Sequence, residues 1–265
     1  QGGVLSPLVW NLAIHELLSQ FREGSDVNDL GRHCIKAVGY ADDVLLIGQG
    51  YDPEQLVLQM QRAVNMATNW AQQNGLNYNP QKTECCLVHP GDKKPRYPNL
   101  KIGNTPLTFS DTLQYLGLTI DKSLSWTPHI MNKCRKAKRL LNSMKRAVGR
   151  EWGLTPDRIM WIHKAVVRPQ IAYGSLVWAH RINLTHKIKL NSVQRQALLP
   201  LSHCMRSTPT AGMEAILGLP PLHLHCQETA LRSAYRLHGP LDWKDRLNPK
   251  SHIDYHLHDL ELILP

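Results

Sequence analysis

Gly39-Tyr40-Ala41-Asp42-Asp43-Val44 sets two adjacent carboxylates between two apolar, β-branched runs, residues 35–40 and 44–47. Runs of this kind on either side of a polar pair predict a β-hairpin with the acids at its tip. Neighbouring carboxylates repel, so the tip is costly unless a cation offsets the charge. A divalent ion held there could organise phosphates for transfer to a hydroxyl. An Asp-Asp pair between strands is also what an ordinary solvated turn carries, because aspartate bonds its own backbone. The rest of the chain separates the two readings.

Upstream, the chain opens Gln1-Gly2-Gly3-Val4-Leu5-Ser6-Pro7. Glycines here permit close approach of a base or sugar, and serve equally as a plain turn before a helix. Downstream come Gly75-Leu76-Asn77-Tyr78-Asn79-Pro80-Gln81-Lys82-Thr83-Glu84 and then Leu113-Gln114-Tyr115-Leu116-Gly117-Leu118. Further on stand Trp126, His129-Ile130, Arg168-Pro169, Tyr173-Gly174 and Val177-Trp178. In this order and spacing the segments resemble the reverse transcriptases of non-LTR (LINE-like, jockey-type) retrotransposons.

The resemblance implies an α+β fold: a partial right-hand polymerase palm, an antiparallel sheet with two helices, over residues 1–122. A helical thumb over 123–180 and a helical connection region with an irregular tail over 181–265 follow. The implied activity is that of a nucleotidyltransferase, an RNA-directed DNA polymerase using an RNA template, a DNA primer and dNTPs. Its cofactor is Mg²⁺, two ions in the intact enzyme, with Mn²⁺ as the alternative. By the same resemblance Asp42 is the direct metal ligand and Asp43 the more peripheral carboxylate. Gln1, Gly2, Gly3, Tyr40 and Ala41 fall beside the templating base and incoming nucleotide. Lys82 offsets or protonates the pyrophosphate leaving group. Tyr115, Leu116 and Gly117 form the primer-grip turn, and the basic run after Thr127 tracks the template–primer duplex.

In that family a further aspartate comes from a palm strand upstream of the Gln-Gly-Gly motif. This sequence starts at the motif, so the acid and the fingers are expected to belong to a missing N-terminal part of the same polyprotein. Asp26 and Asp29, in a polar loop, are poor substitutes. Two carboxylates give a metal few ligands, and the chain alone is expected to polymerise little or nothing. Two other readings stand beside this one: a non-catalytic nucleic-acid-binding remnant of such an element, and a group II intron maturase-like polymerase. His203-Cys204 and His223-x-His225-Cys226 are zinc-ligand types, but their spacing matches no standard knuckle.

Charge is distributed unevenly. Residues 1–90 carry five Lys/Arg against nine Asp/Glu, and the remainder twenty-six against twelve, for a net +10. Lys133, Arg135, Lys136, Lys138, Arg139, Lys145, Arg146 and Arg150 follow one another with no acid between them. A solvated helix face mixes signs, whereas a single-sign face suits a polyanion such as nucleic acid. No apolar run is long enough to span a membrane. The six cysteines lack framework spacing, which points to a reduced, intracellular setting, nuclear or cytoplasmic.

Local signals predict the elements. Ser6-Pro7 reads as cap plus first-turn proline of a helix burying Leu8, Val9, Leu12, Ala13, Leu17, Leu18 and Phe21. Asp52-Pro53 opens a second helix, with Gln55 placed for a capping box, that buries Val57, Met60, Val64, Ala67 and Ala71 and ends at Gly75. A strand is expected over 83–89, a turn at Gly103-Asn104 and another strand over 113–120. Helices then start at Thr127-Pro128 and Thr155-Pro156, the latter kinked or ended by Pro169. Further helices are expected over 184–199, after Thr208-Pro209, and over 226–237. The tryptophans mostly occupy positions that suit packing.

Overall fold

A computed structural model describes residues 3–21, 34–89, 98–145 and 153–238. They combine helices with three two-stranded sheets, an α+β architecture, and divide into two compact units between Leu113 and Gln114.

The first unit contains α1 (Ser6–Ser19), β1 (Cys34–Tyr40), β2 (Asp43–Gln49), α2 (Pro53–Gln73), β3 (Lys101–Ile102) and β4 (Thr105–Pro106). β1 and β2 pair antiparallel from Cys34 opposite Gln49 to Tyr40 opposite Asp43, leaving Ala41 and Asp42 as a two-residue loop. Side chains alternate across a strand. Ile35, Ala37 and Leu46 therefore meet Leu17, Phe21, Ala63 and Trp70 in one core. Gly48 lets α2 approach: a Cβ there would lie 2.9 Å from Leu56 and Met60. The Asp52 carboxylate caps α2 by accepting the Glu54 amide at 3.0 Å, in place of the reciprocal box expected with Gln55. Val57, Ala67 and Ala71 are buried while Met60 and Val64 are half-buried, and Gly75 follows the helix at φ +70°.

Two expectations for this unit need correction. Ser6 is the first residue of α1 and Leu5 its cap, with no side-chain capping bond. Only Ile14, Leu17 and Phe21 are buried, while Leu8, Val9 and Leu12 are 59, 61 and 69% exposed, Ala13 is exposed and Leu18 half-buried. Periodicity marks a helix's apolar face, and β1 covers one flank of it, where Gly39 admits Ile14 and Leu18. Second, residues 83–89 form no strand. Cys85 makes one isolated bridge, to Phe109, while β3 and β4 pair with each other around Gly103.

The second unit begins within β5 (Thr112–Tyr115), which turns at Leu116-Gly117 into β6 (Leu118–Asp121). The run expected as one strand over 113–120 is thus a tight hairpin, and β6 packs on the helix that follows. The helices are α3 (Thr127–Lys145), α4 (Pro156–Ile162), a π-helical turn (His163–Val167), α5 (Arg168–Ala172), α6 (Ser175–Trp178), a 3₁₀ turn (Ala179–Arg181), α7 (Leu184–Ser202), α8 (Thr210–Ile216) and α9 (Leu222–His238). Trp126, Ile130, Ile171, Trp178, Leu190 and Leu222 centre the core. Pro169 neither ends nor sharply breaks its helix: α4, the π turn and α5 run on continuously. The wider π turn, closed by the Arg168 amide on the His163 carbonyl, places the residue that lacks an N–H where the ladder is already altered. Among the described helices none is long and apolar enough to cross a membrane.

Candidate catalytic turn and nucleic-acid interface

The β1–β2 hairpin delivers Tyr40, Ala41, Asp42 and Asp43 to one exposed tip. Ala41 adopts φ +50°, a conformation that costs a non-glycine residue roughly 1–2 kcal/mol. The Trp10 indole N–H of α1 donates to its carbonyl, which ties the turn to the helix behind it. Neither the Asp42 nor the Asp43 carboxylate has a hydrogen-bond or ion-pair partner among the described residues. Hard carboxylate oxygens suit a divalent ion in kind. They do not suffice in number, because no group of three His, Cys, Asp or Glu side chains able to hold a metal occurs among the described residues. A metal at this turn needs donors beyond the pair.

The other sequence-predicted positions are spread over separate elements. Gln1 and Gly2 lie outside the described residues, and Gly3 leads into α1, its carbonyl accepting the Ser6 amide at 3.1 Å. Lys82 is exposed on a turn that Asn79 organises: the Asn79 side chain accepts the Gln81 amide at 2.9 Å and its carbonyl accepts the Lys82 amide at 3.1 Å. Tyr115, Leu116 and Gly117 form the β5–β6 turn, with Leu116 at φ +47° and Gly117 at φ +75°. On α3, Arg135, Lys136 and Arg139 are exposed and Lys133 and Lys138 half-buried. They surround a stripe of Ile130, Cys134, Ala137 and Leu141 that packs inward. Arg146, Arg150 and the side chain of Lys145 lie outside the described residues.

The zinc-ligand types do not assemble. Cys226 is fully buried in the apolar core, and burial pushes its thiol up to about 12, with Cys134 nearby adding to the effect. Trp161, read as packing from sequence, is 66% exposed. Sequence reasoning read Trp10, which braces the acidic turn, only as packing, and gave no role to the Tyr173 side chain, whose hydroxyl donates to the Leu116 carbonyl. These contacts span 31 and 57 residues, and no local pattern announces a partner that far away.

Residues 1–120, which include the acidic hairpin, match the family Reverse transcriptase (RNA-dependent DNA polymerase). Enzymes of this family copy a nucleic-acid template from dNTPs with divalent metal ions. Over nearly its whole length the chain is a relative of LINE-like, non-LTR retrotransposon polymerases. It is 22% identical over 85% of its length to the Pol polyprotein of the type-1 element R1 of Nasonia vitripennis. It is 23% identical over 93% to the putative 115 kDa protein of element R1DM of Drosophila melanogaster, and 22% over 89% to the RNA-directed DNA polymerase of mobile element jockey of Drosophila funebris. It spans 66%, 23% and 25% of these relatives, respectively. No solved structure matches significantly. The comparisons give no support to the maturase-like or remnant readings.

Proposed function

We propose that this chain supplies the C-terminal palm, thumb and connection parts of the RNA-directed DNA polymerase of a non-LTR retrotransposon, with an RNA template, a DNA primer and dNTPs as partners. In this reading residues 1–122 are palm, 123–180 thumb and 181–265 connection. The carrying observation is the exposed Asp42-Asp43 tip inside the stretch that matches the reverse transcriptase family. Asp42 and Asp43 are the carboxylates toward Mg²⁺, which when bound neutralises charge on the attacking and leaving oxygens of nucleotidyl transfer. Tyr40 and Ala41 line the same tip beside the nucleotide, with Gln1, Gly2 and Gly3 toward the templating base. Lys82 offsets charge on the departing pyrophosphate. Tyr115, Leu116 and Gly117 meet the primer strand, and the α3 cations follow the duplex phosphates without reading sequence.

Duplex binding tests the thumb assignment directly. Affinity for an RNA–DNA duplex, followed by fluorescence anisotropy, should fall steeply with added salt, as counterion release requires. Replacing Arg135, Lys136, Lys138 and Arg139 with serine should weaken binding to all sequences alike. It should also reduce the log–log slope by about one for each phosphate that is no longer neutralised. A slope near zero in the unaltered protein contradicts the reading.

A further inference from the structure

Leu116 and Gly117 are successive left-handed residues at the β5–β6 turn, and the leucine pays for its conformation with steric strain. Something must hold such a turn in place. The Tyr173 hydroxyl, between α5 and α6, donates to the Leu116 carbonyl at 2.8 Å. Its ring lies against Gly117, where an added Cβ would sit 3.5 Å from Tyr173 Cε1. On the same ring the Lys133 ammonium of α3 stands 4.6 Å from the centroid, within cation–π range.

Tyr173 is itself anchored from beneath. Its carbonyl accepts the Trp178 indole N–H at 3.1 Å, and Trp178 is buried beside His129 with ring centroids 5.8 Å apart. His129 Nδ1 accepts the Thr119 amide of β6 at 3.1 Å. The hairpin is therefore held at its turn by Tyr173 and along β6 by His129, both footed on Trp178. Yet Tyr173 is 51% exposed. Water readily replaces a hydroxyl bond at such a surface, so its effect on stability is small. Its effect on the shape of the turn is not, because a strained turn released from its brace relaxes.

We propose that Tyr173 is a positioning residue for the primer strand: its hydroxyl fixes the Leu116 carbonyl so that the Tyr115-Leu116-Gly117 turn presents one conformation, with the Lys133 charge beside it. This rests on the polymerase reading above. Orientation of a reacting end matters more than affinity once both partners are bound, so the device acts on use of the primer terminus rather than on duplex binding at large.

The test uses the full-length translation product on an RNA template with a DNA primer. Tyr173→Phe keeps the ring and the Lys133 contact and removes only the donor. It should lower kcat for primer extension by about three- to tenfold, the ordinary range for one hydrogen bond, with KM for primer–template unchanged. KM for dNTP, the salt slope of duplex binding and the thermal midpoint should stay at wild-type values. Lys133→Arg should retain function, whereas Lys133→Met should repeat the primer defect. Amide exchange at Gly117 and Leu118 should quicken in Tyr173→Phe alone. Wild-type kinetics in Tyr173→Phe overturn the proposal, as does a general fall in thermal midpoint and all kinetic parameters together, which marks a purely structural role. A wild-type protein that extends no primer overturns the polymerase reading itself, and this proposal with it.

Discussion

Asp121 illustrates how one side chain can organise the entry to a helix. It is buried at the end of β6 and accepts from Ser123 Oγ at 2.7 Å, the Ser125 amide at 3.0 Å, Ser125 Oγ at 2.9 Å and the Trp126 amide at 2.8 Å. Burial alone would raise its carboxyl, but these hydrogen bonds outweigh it and hold the group below the usual carboxylate value. Within the same loop Leu124 and Trp126 adopt φ +50° and +60°, conformations that the bonds to Asp121 secure. Asp121→Ala should cost about 2–4 kcal/mol, the loss of several charge-assisted bonds with donors left buried, read by urea unfolding. A change below about 1 kcal/mol would count against this role, since that is the scale of an ordinary surface substitution.

His163, in the π turn, makes the complementary case. Its ring is fully buried, and burial, reinforced by Arg168, lowers its pKa to about 4, with Gln194 opposing and His225 and Lys164 adding smaller downward effects. The folded state thus binds the proton less readily than the unfolded chain, whose histidine titrates near 6.5. Stability is complete above about 6.5 and is lost as pH falls toward about 4, because the unfolded state takes up the proton first. His129 follows the same direction, driven to about 4 by burial and then by Lys133 and Lys136. Thermal midpoints recorded from pH 7 down to about 5 should decline, and His163→Asn should flatten the decline. A midpoint independent of pH over this range contradicts the assignment.

The elements show what sequence pattern can and cannot convey. The acidic hairpin was readable because alternation and β-branched flanks both demanded it, and α2 because Asp52-Pro53 and Gly75 bracket an amphipathic run. Asn183 opens α7 with a capping box: its Oδ1 accepts the His186 amide at 3.0 Å and its own amide donates to His186 Nδ1 at 3.3 Å, and the helix runs close to the expected 184–199. The exposed half of α1 was not readable, since periodicity reports which face is apolar and not whether anything covers it. The expected strand over 83–89 is reduced to a single bridge at Cys85, and strand pairing is a tertiary matter that local pattern does not report. Of the candidate site, the acidic pair and the α3 cations were legible as local clusters, whereas the braces Trp10 and Tyr173 were not.

Gly174 sits where element geometry is tightest. At φ +67° it turns the chain from α5 into α6, and an added Cβ would lie 2.5 Å from Leu118 Cδ2 in β6. Gly174→Ala should therefore destabilise the second unit by about 2–4 kcal/mol, combining left-handed strain with overpacking against the hairpin. Chemical denaturation followed by tryptophan fluorescence reads this out. Retention of the wild-type midpoint would mean that β6 moves aside without cost.

Across the whole molecule, charge and chemistry are segregated along the chain. The acidic pair lies in the first unit, within the region that matches the reverse transcriptase family, and most of the positive charge lies beyond it. In the proposed reading the first unit brings carboxylates to the nucleotide and the second brings cations and the braced β5–β6 turn to the duplex. In that same reading the reaction rests on Asp42. The direct measurement is primer extension by the full-length translation product on an RNA template with Mg²⁺, wild type against Asp42→Asn. The substitution removes a group with no partner among the described residues, so the thermal midpoint and duplex affinity should hold. Extension should fall by more than about a hundredfold, beyond the 10–100-fold typical of residues one shell removed from a metal. An Asp42→Asn protein that extends primers at the wild-type rate would contradict the account.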